Sequence, residues 1–422
     1  MIKGEKIRFD IHNILFSIYK FNKTLNNPSI KKTIEKHKKE DVSFINNVTL
    51  NSMRLHIHVL KIINIYIKKK LRDQEKILLI SAITLIIYLD FKEYAVINCT
   101  VEIAKKLKIY HGLINASLKK ISNDKLKLRQ TKITFDDLPL WFKSRTDSLT
   151  DIQKKNFINN FIQEPSLHLV FKSKNKLENF EEKLIKTSDT SGFLVNKKNI
   201  NEIKSFVKGD WWVQDFSSFY PLHNLEIKDK NKRFLDACAA PGGKSFQLLS
   251  RKVKLDLNDK NKSRIKTIKS NFKRLNFKTK IFNDDFINFS EDKKYDYIII
   301  DAPCSAIGTI RKNPEIFFKL KGPNFKNLNI LQEKMLDKAA KLLNENGLII
   351  YMVCSFLDNE TTIQINNFIT KNKEFKISKF IKIDDQSEYS KLLNKNFMLI
   401  LPDIILNYKI DGYFAAFLRK NK

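Results

Sequence analysis

From residue 232 onward, short apolar runs alternate with helical stretches, and this alternation limits the possible fold more than any other feature of the chain. The runs RFLDA (233–237), VKLDL (253–257), KTKIFND (278–284), YDYIIID (295–301) and GLIIYMV (347–353) read as strands. Between them, NKSRIKTIKSNFKRLN and LQEKMLDKAAKLLNE read as helices. In the second, Leu331, Met335, Ala339 and Leu342 share one face, and Gly347 follows as a stop. Repeated units of this length build a doubly wound, mostly parallel sheet, a class that binds ligands outside the carboxyl ends of its strands.

The preceding sequence has a different texture. Residues 1–128 read as an all-helical domain, because apolar residues recur three and four apart in EDVSFINNVTLNSMRLHIHVLKIINIYI and again, with a break at Gly112, in VEIAKKLKIYHGLINASLKKI. The run ILLISAITLIIYL (77–89) is too short to span a bilayer and suits a buried helix. Residues 129–145, with Pro139 and Trp141, read as a linker whose aromatic docks on a neighbour. Residues 146–222 read as a small α+β domain, with LHLVFKSK a strand, NKLENFEEKLIK a helix and WWVQDFSSFYPL too irregular for a long helix. The strand–helix domain occupies 223–422.

Charge and cysteines narrow the partners. The formal net charge of +32 points to a polyanion such as RNA. Only 11 of the 78 basic residues are arginine, however, leaving 67 lysines in a chain also rich in Asn, Ile and Phe. An A- and T-rich genome produces that composition in any protein, so charge alone is a weak pointer. The 4 cysteines, at 99, 238, 304 and 354, form no C-x-x-C and no zinc-spaced cluster. With no signal-peptide pattern at the N-terminus, a reducing, cytoplasmic setting is expected, with no metal and no membrane.

The first strand ends in DACAAPGGKSFQLL, where small residues and glycines let a ligand approach the backbone at a helix N-terminus. It is neither G-x-G-x-x-G nor a complete P-loop. Asp256, Asp284, Asp285 and Asp301 then follow successive strands. Singly, each reads as a solvated loop residue or a helix cap; in register, they read as a nucleoside pocket. Two strands end on cysteines, in DAPCSAIGTIRKNP and YMVCSF, making Cys304 and Cys354 candidate nucleophiles.

Together DACAAPGGKS, DAPCSAIGTIRKNP and YMVCSF resemble the RNA cytosine-5 methyltransferases. GDWWVQDFSSFYPL and LPDIILNYKIDGYFAAFLRK are similar to the lead-in and C-terminal strand of the bacterial RsmB (Sun/Fmu) group, and the helical region resembles that group's NusB-like RNA-binding domain. The resemblance implies a class I Rossmann-like methyltransferase domain that uses S-adenosyl-L-methionine on a cytosine of small-subunit (16S) rRNA. It implies that Cys354 adds to C6 of the base, that Cys304 assists release, and that Asp301 meets the N3/N4 edge with a raised pKa. Cys238, Ala239, Ala240, Pro241, Gly242, Gly243 and Lys244, with Asp256, Asp285 and Asp301, would line the cofactor. Lys244 would also favour the Cys354 thiolate and touch the substrate, and Arg311 would meet an RNA phosphate. Val353 stands where the family has threonine. Cys99 is expected in a core, and a monomer is expected. The alternatives are a tRNA methyltransferase, a non-catalytic rRNA-binding assembly factor and, last, a DNA methyltransferase, for which Cys354 would have no use.

Overall fold

Spacing of three and four between apolar residues turns Ile7, Ile11, Ile14, Leu15 and Ile18 of the helix Lys3–Phe21 onto one buried face. The computed structural model describes residues 3–196, 198–203, 205–379 and 396–421. The chain divides into two units, Met1–Ile162 with Ile310–Pro323, and Gln163–Thr309 with Asn324–Lys422.

In the first unit the helices Lys39–Arg54, His56–Tyr66, Glu93–Lys106 and His111–Asn123 surround Asp73–Ile83, which is buried from Ile77 to Ile83 and runs on into a wider turn at Thr84–Tyr88. The apolar run at 77–89 is thus the centre of a helical bundle. The break between the last two helices falls at 107–110, ahead of Gly112. Cys99 is only partly buried. Phe142, Phe157 and Phe161 form an aromatic cluster closed by Phe317, whose ring lies 5.0 Å from that of Phe142. Trp141 packs edge-on to Phe317, while Phe318 enters the helical core. Burying each such side chain stabilises the unit by roughly 1.5–3 kcal/mol.

The second unit opens with an antiparallel sheet of β1 (His168–Phe171), β2 (Leu184–Ser188), β3 (Ser191–Leu194) and β4 (Trp211–Val213), ordered β2-β3-β1-β4. The helix expected over NKLENFEEKLIK stops at Glu178, because its second half pairs with β3 as β2. Pairing overrides local propensity there.

The large sheet contains β5 (Arg233–Asp236), β6 (Lys254–Asn258), β7 (Ile281–Phe282), β8 (Tyr295–Asp301), β9 (Leu343–Val353), β10 (Phe375–Ser378), β11 (Phe397–Ile400) and, after a small hairpin of β12 (Asp403–Ile405) and β13 (Tyr408–Ile410), β14 (Tyr413–Lys420). Its order is β10-β14-β9-β8-β5-β6-β7, with β11 also on β14. Strands β5 to β9 run parallel, and β14 inserts antiparallel beside β9. Alternation along β9 sends Leu348, Ile350 and Met352 into one core and Ile349, Tyr351 and Val353 into the other, as a sheet covered on both faces requires.

Candidate active site

Every parallel strand delivers its last residues to the same end of the sheet. After β5 the chain turns through Gly242 at φ +115, where an added Cβ would strike the Phe246 ring, and enters the helix Gly243–Ser250. Asp236 closes β5 with its carboxylate buried, and Ser245 Oγ donates to Oδ2 at 2.6 Å. Burial raises this carboxyl from 3.8 to about 6, against the Ser245 hydrogen bond and with help from the Asp301 charge.

That shift has a sign. A carboxyl raised in the fold contributes stability fully present below 3.8 and lost as pH climbs through about 6. Asp236→Asn carries no charge at any pH, so the difference in unfolding free energy between wild type and variant should change by about 3 kcal/mol between about pH 3 and pH 8, the wild type losing ground as pH rises. Parallel melting profiles for the two proteins would show instead that Asp236 titrates as it does in an unfolded chain.

A cavity of about 370 Å³ lies at these strand ends. It is lined by Cys238, Asp259, Asp285, Phe286, Asp301, Pro303, Cys304 and Cys354, among others. Of the residues expected to form a cofactor site, Cys238, Asp285 and Asp301 are thus together. Ala239, Ala240, Pro241, Gly242 and Gly243 shape the turn behind the lining. Asp256 is not there: it sits inside β6, where it accepts hydrogen bonds from Arg233 at 3.1 Å and from the Tyr295 hydroxyl at 3.0 Å. The strand runs on to Asn258, so the lining carboxylate is Asp259, which accepts from the Ala240 amide at 3.1 Å. Reading β6 two residues further would have found it.

Two thiols meet at this end of the sheet. Cys304 follows β8 and Cys354 follows β9, and their sulfurs are 3.4 Å apart. Backbone bonds fix both loops: Ala302 donates to Met352 at 2.9 Å, Gly308 to Cys354 at 3.0 Å and Gly412 to Gly308 at 2.8 Å. Contact with Cys354, reinforced by burial, pushes the Cys304 thiol well above its ordinary value.

Beside them, Asp301 accepts from Lys244 Nζ at 2.8 Å and from the Tyr413 hydroxyl at 3.0 Å. Burial opposes the Lys244 charge, but the carboxylates of Asp301 and Asp236 outweigh it, so its pKa ends above the ordinary value. Glu360, fully buried, reaches the serine after each cysteine: Ser305 Oγ donates to it at 2.5 Å and Ser355 Oγ at 2.6 Å. Tyr413 and Glu360 were not singled out in the sequence; a lone phenol opening an apolar strand was the available signal for the first. Arg311 is a correction. It is 1% exposed, donates through Nε to the Asn160 carbonyl, and belongs to the helical unit, so it presents no free guanidinium to a phosphate.

A nucleophile, an acidic partner in contact with it and a carboxylate braced by a lysine form an arrangement suited to covalent addition and elimination on a flat ring.

Two family models match this chain. One described as 16S rRNA methyltransferase RsmB/F covers residues 223–419, and one described as NusB family covers residues 7–123. A ribosomal RNA small subunit methyltransferase B from Photorhabdus laumondii is 28% identical over 381 residues, 83% of this chain and 84% of that protein. One of the same name from Shewanella oneidensis is 32% identical over 200 residues, 46% of each chain. Among solved structures, PH0851 has a TM-score of 0.72 at 20% identity, covering 100% of this chain and 99% of that one, a likeness of fold.

Proposed function

Since the chain belongs to the RsmB/F methyltransferase family and carries a NusB-family domain ahead of its catalytic one, we propose that it methylates C5 of a cytosine in 16S rRNA, with S-adenosylmethionine as methyl donor and Cys354 as nucleophile. The observation that carries this reading is the pair of thiols 3.4 Å apart at the ends of adjacent parallel strands, beside Asp301. C5 of cytosine is a poor nucleophile until a thiolate adds to C6, and a second thiol in contact with the first is what the reverse step needs.

The lining fits the donor. Asp259 and Asp285 offer carboxylates to ribose hydroxyls, and Phe286 an apolar wall. S-adenosylmethionine, when bound there, supplies an electrophilic methyl group. The chain's own residues do the rest. The Cys354 thiolate forms the S–C6 bond, and the C5=C6 electron pair moves to C5. Asp301, braced by Lys244 and Tyr413, accepts from the base's amino edge. On release the S–C6 bond breaks as the C5 proton leaves. Cys304 keeps its proton at neutral pH because of its contact with Cys354 and its burial. It passes that proton to the departing sulfur and takes the one from C5 in its place. Val353, where the family has threonine, is fully buried opposite Phe414, so the residue before the nucleophile serves packing alone.

Reaching C5 and C6 from opposite faces requires the base out of its stack. The +32 charge and the NusB-family domain would hold the surrounding RNA. No helix among the described residues is long and apolar enough to cross a membrane.

Labelled methyl donor, offered with deproteinised 16S rRNA, assembling small subunits, a tRNA pool and duplex DNA in parallel, tests the reading. Label recovered as 5-methylcytosine from rRNA is expected. Recovery from tRNA alone would change the substrate, recovery from DNA would change the chemistry, and none from any would leave an RNA-binding assembly factor.

A further inference from the structure

Glu360 has an unusual environment for a carboxylate. It is fully buried, and no lysine, arginine or histidine among the described residues forms an ion pair with it. Desolvation penalises such a charge unless every lone pair is used, and here every one is. Oε1 accepts from the Ser305 amide at 2.7 Å and from Gln332 Nε2 at 3.3 Å. Oε2 accepts from Ser305 Oγ at 2.5 Å and Ser355 Oγ at 2.6 Å. Four neutral donors fill the acceptor capacity of one carboxylate. The Tyr351 hydroxyl, from inside β9, fixes its backbone by donating to the Glu360 carbonyl at 2.9 Å.

The two serines are not scattered. Ser305 follows Cys304 and Ser355 follows Cys354, so a single carboxylate oxygen ties together the loops that carry both thiols. We infer that Glu360 is a positioning residue: it holds the two cysteine loops in register and so sets the distance between Cys304 and Cys354. The consequence for methyl transfer rests on the reading proposed above. The distance itself is a property of the protein alone, and it can be measured without RNA.

An amide of the same shape has one acceptor oxygen in place of two, so Glu360→Gln must release one tether. Ser355→Ala removes the other end of the same link with a smaller disturbance. Diamide, a two-electron thiol oxidant, gives the readout. Its N=N bond takes two electrons and two protons from the cysteines, leaving a hydrazine and a Cys304–Cys354 disulfide. The sulfurs must close from 3.4 Å to a bond of about 2.05 Å, so closure reports how well the pair is held.

Wild type should close rapidly, and both variants should close more slowly by roughly tenfold or more, with a lowered but still cooperative melt, since each leaves a buried polar group unpaired. In methyl transfer the variants should lose kcat while KM for RNA stays unchanged. Closure of Ser355→Ala at the wild-type rate would overturn the proposal, and that variant decides the matter if Glu360→Gln fails to fold. Slowed closure in proteins that, like wild type, transfer no methyl would sustain the positioning role while refuting the cytosine reading. Unchanged closure with an active wild type would refute the positioning role alone.

Discussion

Incubated with 16S rRNA and S-adenosylmethionine, the Cys304→Ala protein is expected to run on a denaturing gel as a denaturant-stable protein–RNA adduct, and the Cys354→Ala protein as free protein. The expectation follows from the geometry. With one sulfur at 3.4 Å from the other, removing the partner leaves the attacking thiolate able to bond C6 but without the group that carries the proton during release. Turnover by Cys304→Ala should fall by roughly 10²–10⁴, the usual worth of a positioned acid–base group. Loss of the nucleophile should be at least as severe. An adduct from Cys354→Ala instead would exchange the two roles. Adducts from neither, with an inactive wild type, would leave the site without covalent chemistry.

The second large effect is expected at Asp301. Asp301→Asn keeps the shape of the side chain but gives Lys244 an amide in place of a carboxylate 2.8 Å away, and it no longer offers the base two acceptor oxygens. Methyl transfer should drop by roughly 10²–10³ in kcat, the range for removing one preorganised electrostatic contact. The partly buried pair should also lose about 1–3 kcal/mol of stability, below the figure for a fully buried pair because Asp301 remains partly open to solvent. Tyr413→Phe should fall in between: it removes the 3.0 Å hydroxyl contact and leaves the ring 5.4 Å from Lys244 Nζ. Steady-state kinetics on rRNA, with kcat and KM separated, and thermal melts check all three. Wild-type kcat for Asp301→Asn would remove this carboxylate from the chemistry.

What could be read in the sequence had local causes. Strands β8 and β9 are continuous apolar runs that end on their motifs, so Asp301, Cys304 and Cys354 could be assigned to strand ends before any pairing was known. Asp256 was misassigned because β6 continues past it through Leu257 to Asn258, moving the pocket carboxylate to Asp259. The first residues of β2, Leu184–Lys186, continue a helix-favouring run in sequence, and only pairing with β3 makes them a strand. Glu360 was illegible for a different reason. A glutamate in SFLDNETT looks like a solvated turn residue until its partners, at positions 305, 332 and 355, are brought to it. Arg311 escaped for the same reason: nothing near it in sequence says that Ile310–Pro323 leaves the unit that flanks it.

That departure sets an order of events on the ribosome. A helical unit that needs Phe317 to close the cluster of Phe142, Phe157 and Phe161 cannot be complete when residue 162 leaves the exit tunnel. At ~5–20 residues per second the missing piece arrives roughly 7–30 s later, with most of the catalytic sheet's parallel strands already emerging. The nascent helices must wait with an aromatic face open to water, a window in which a chaperone could bind. A chain cut at residue 162 would keep that face open permanently.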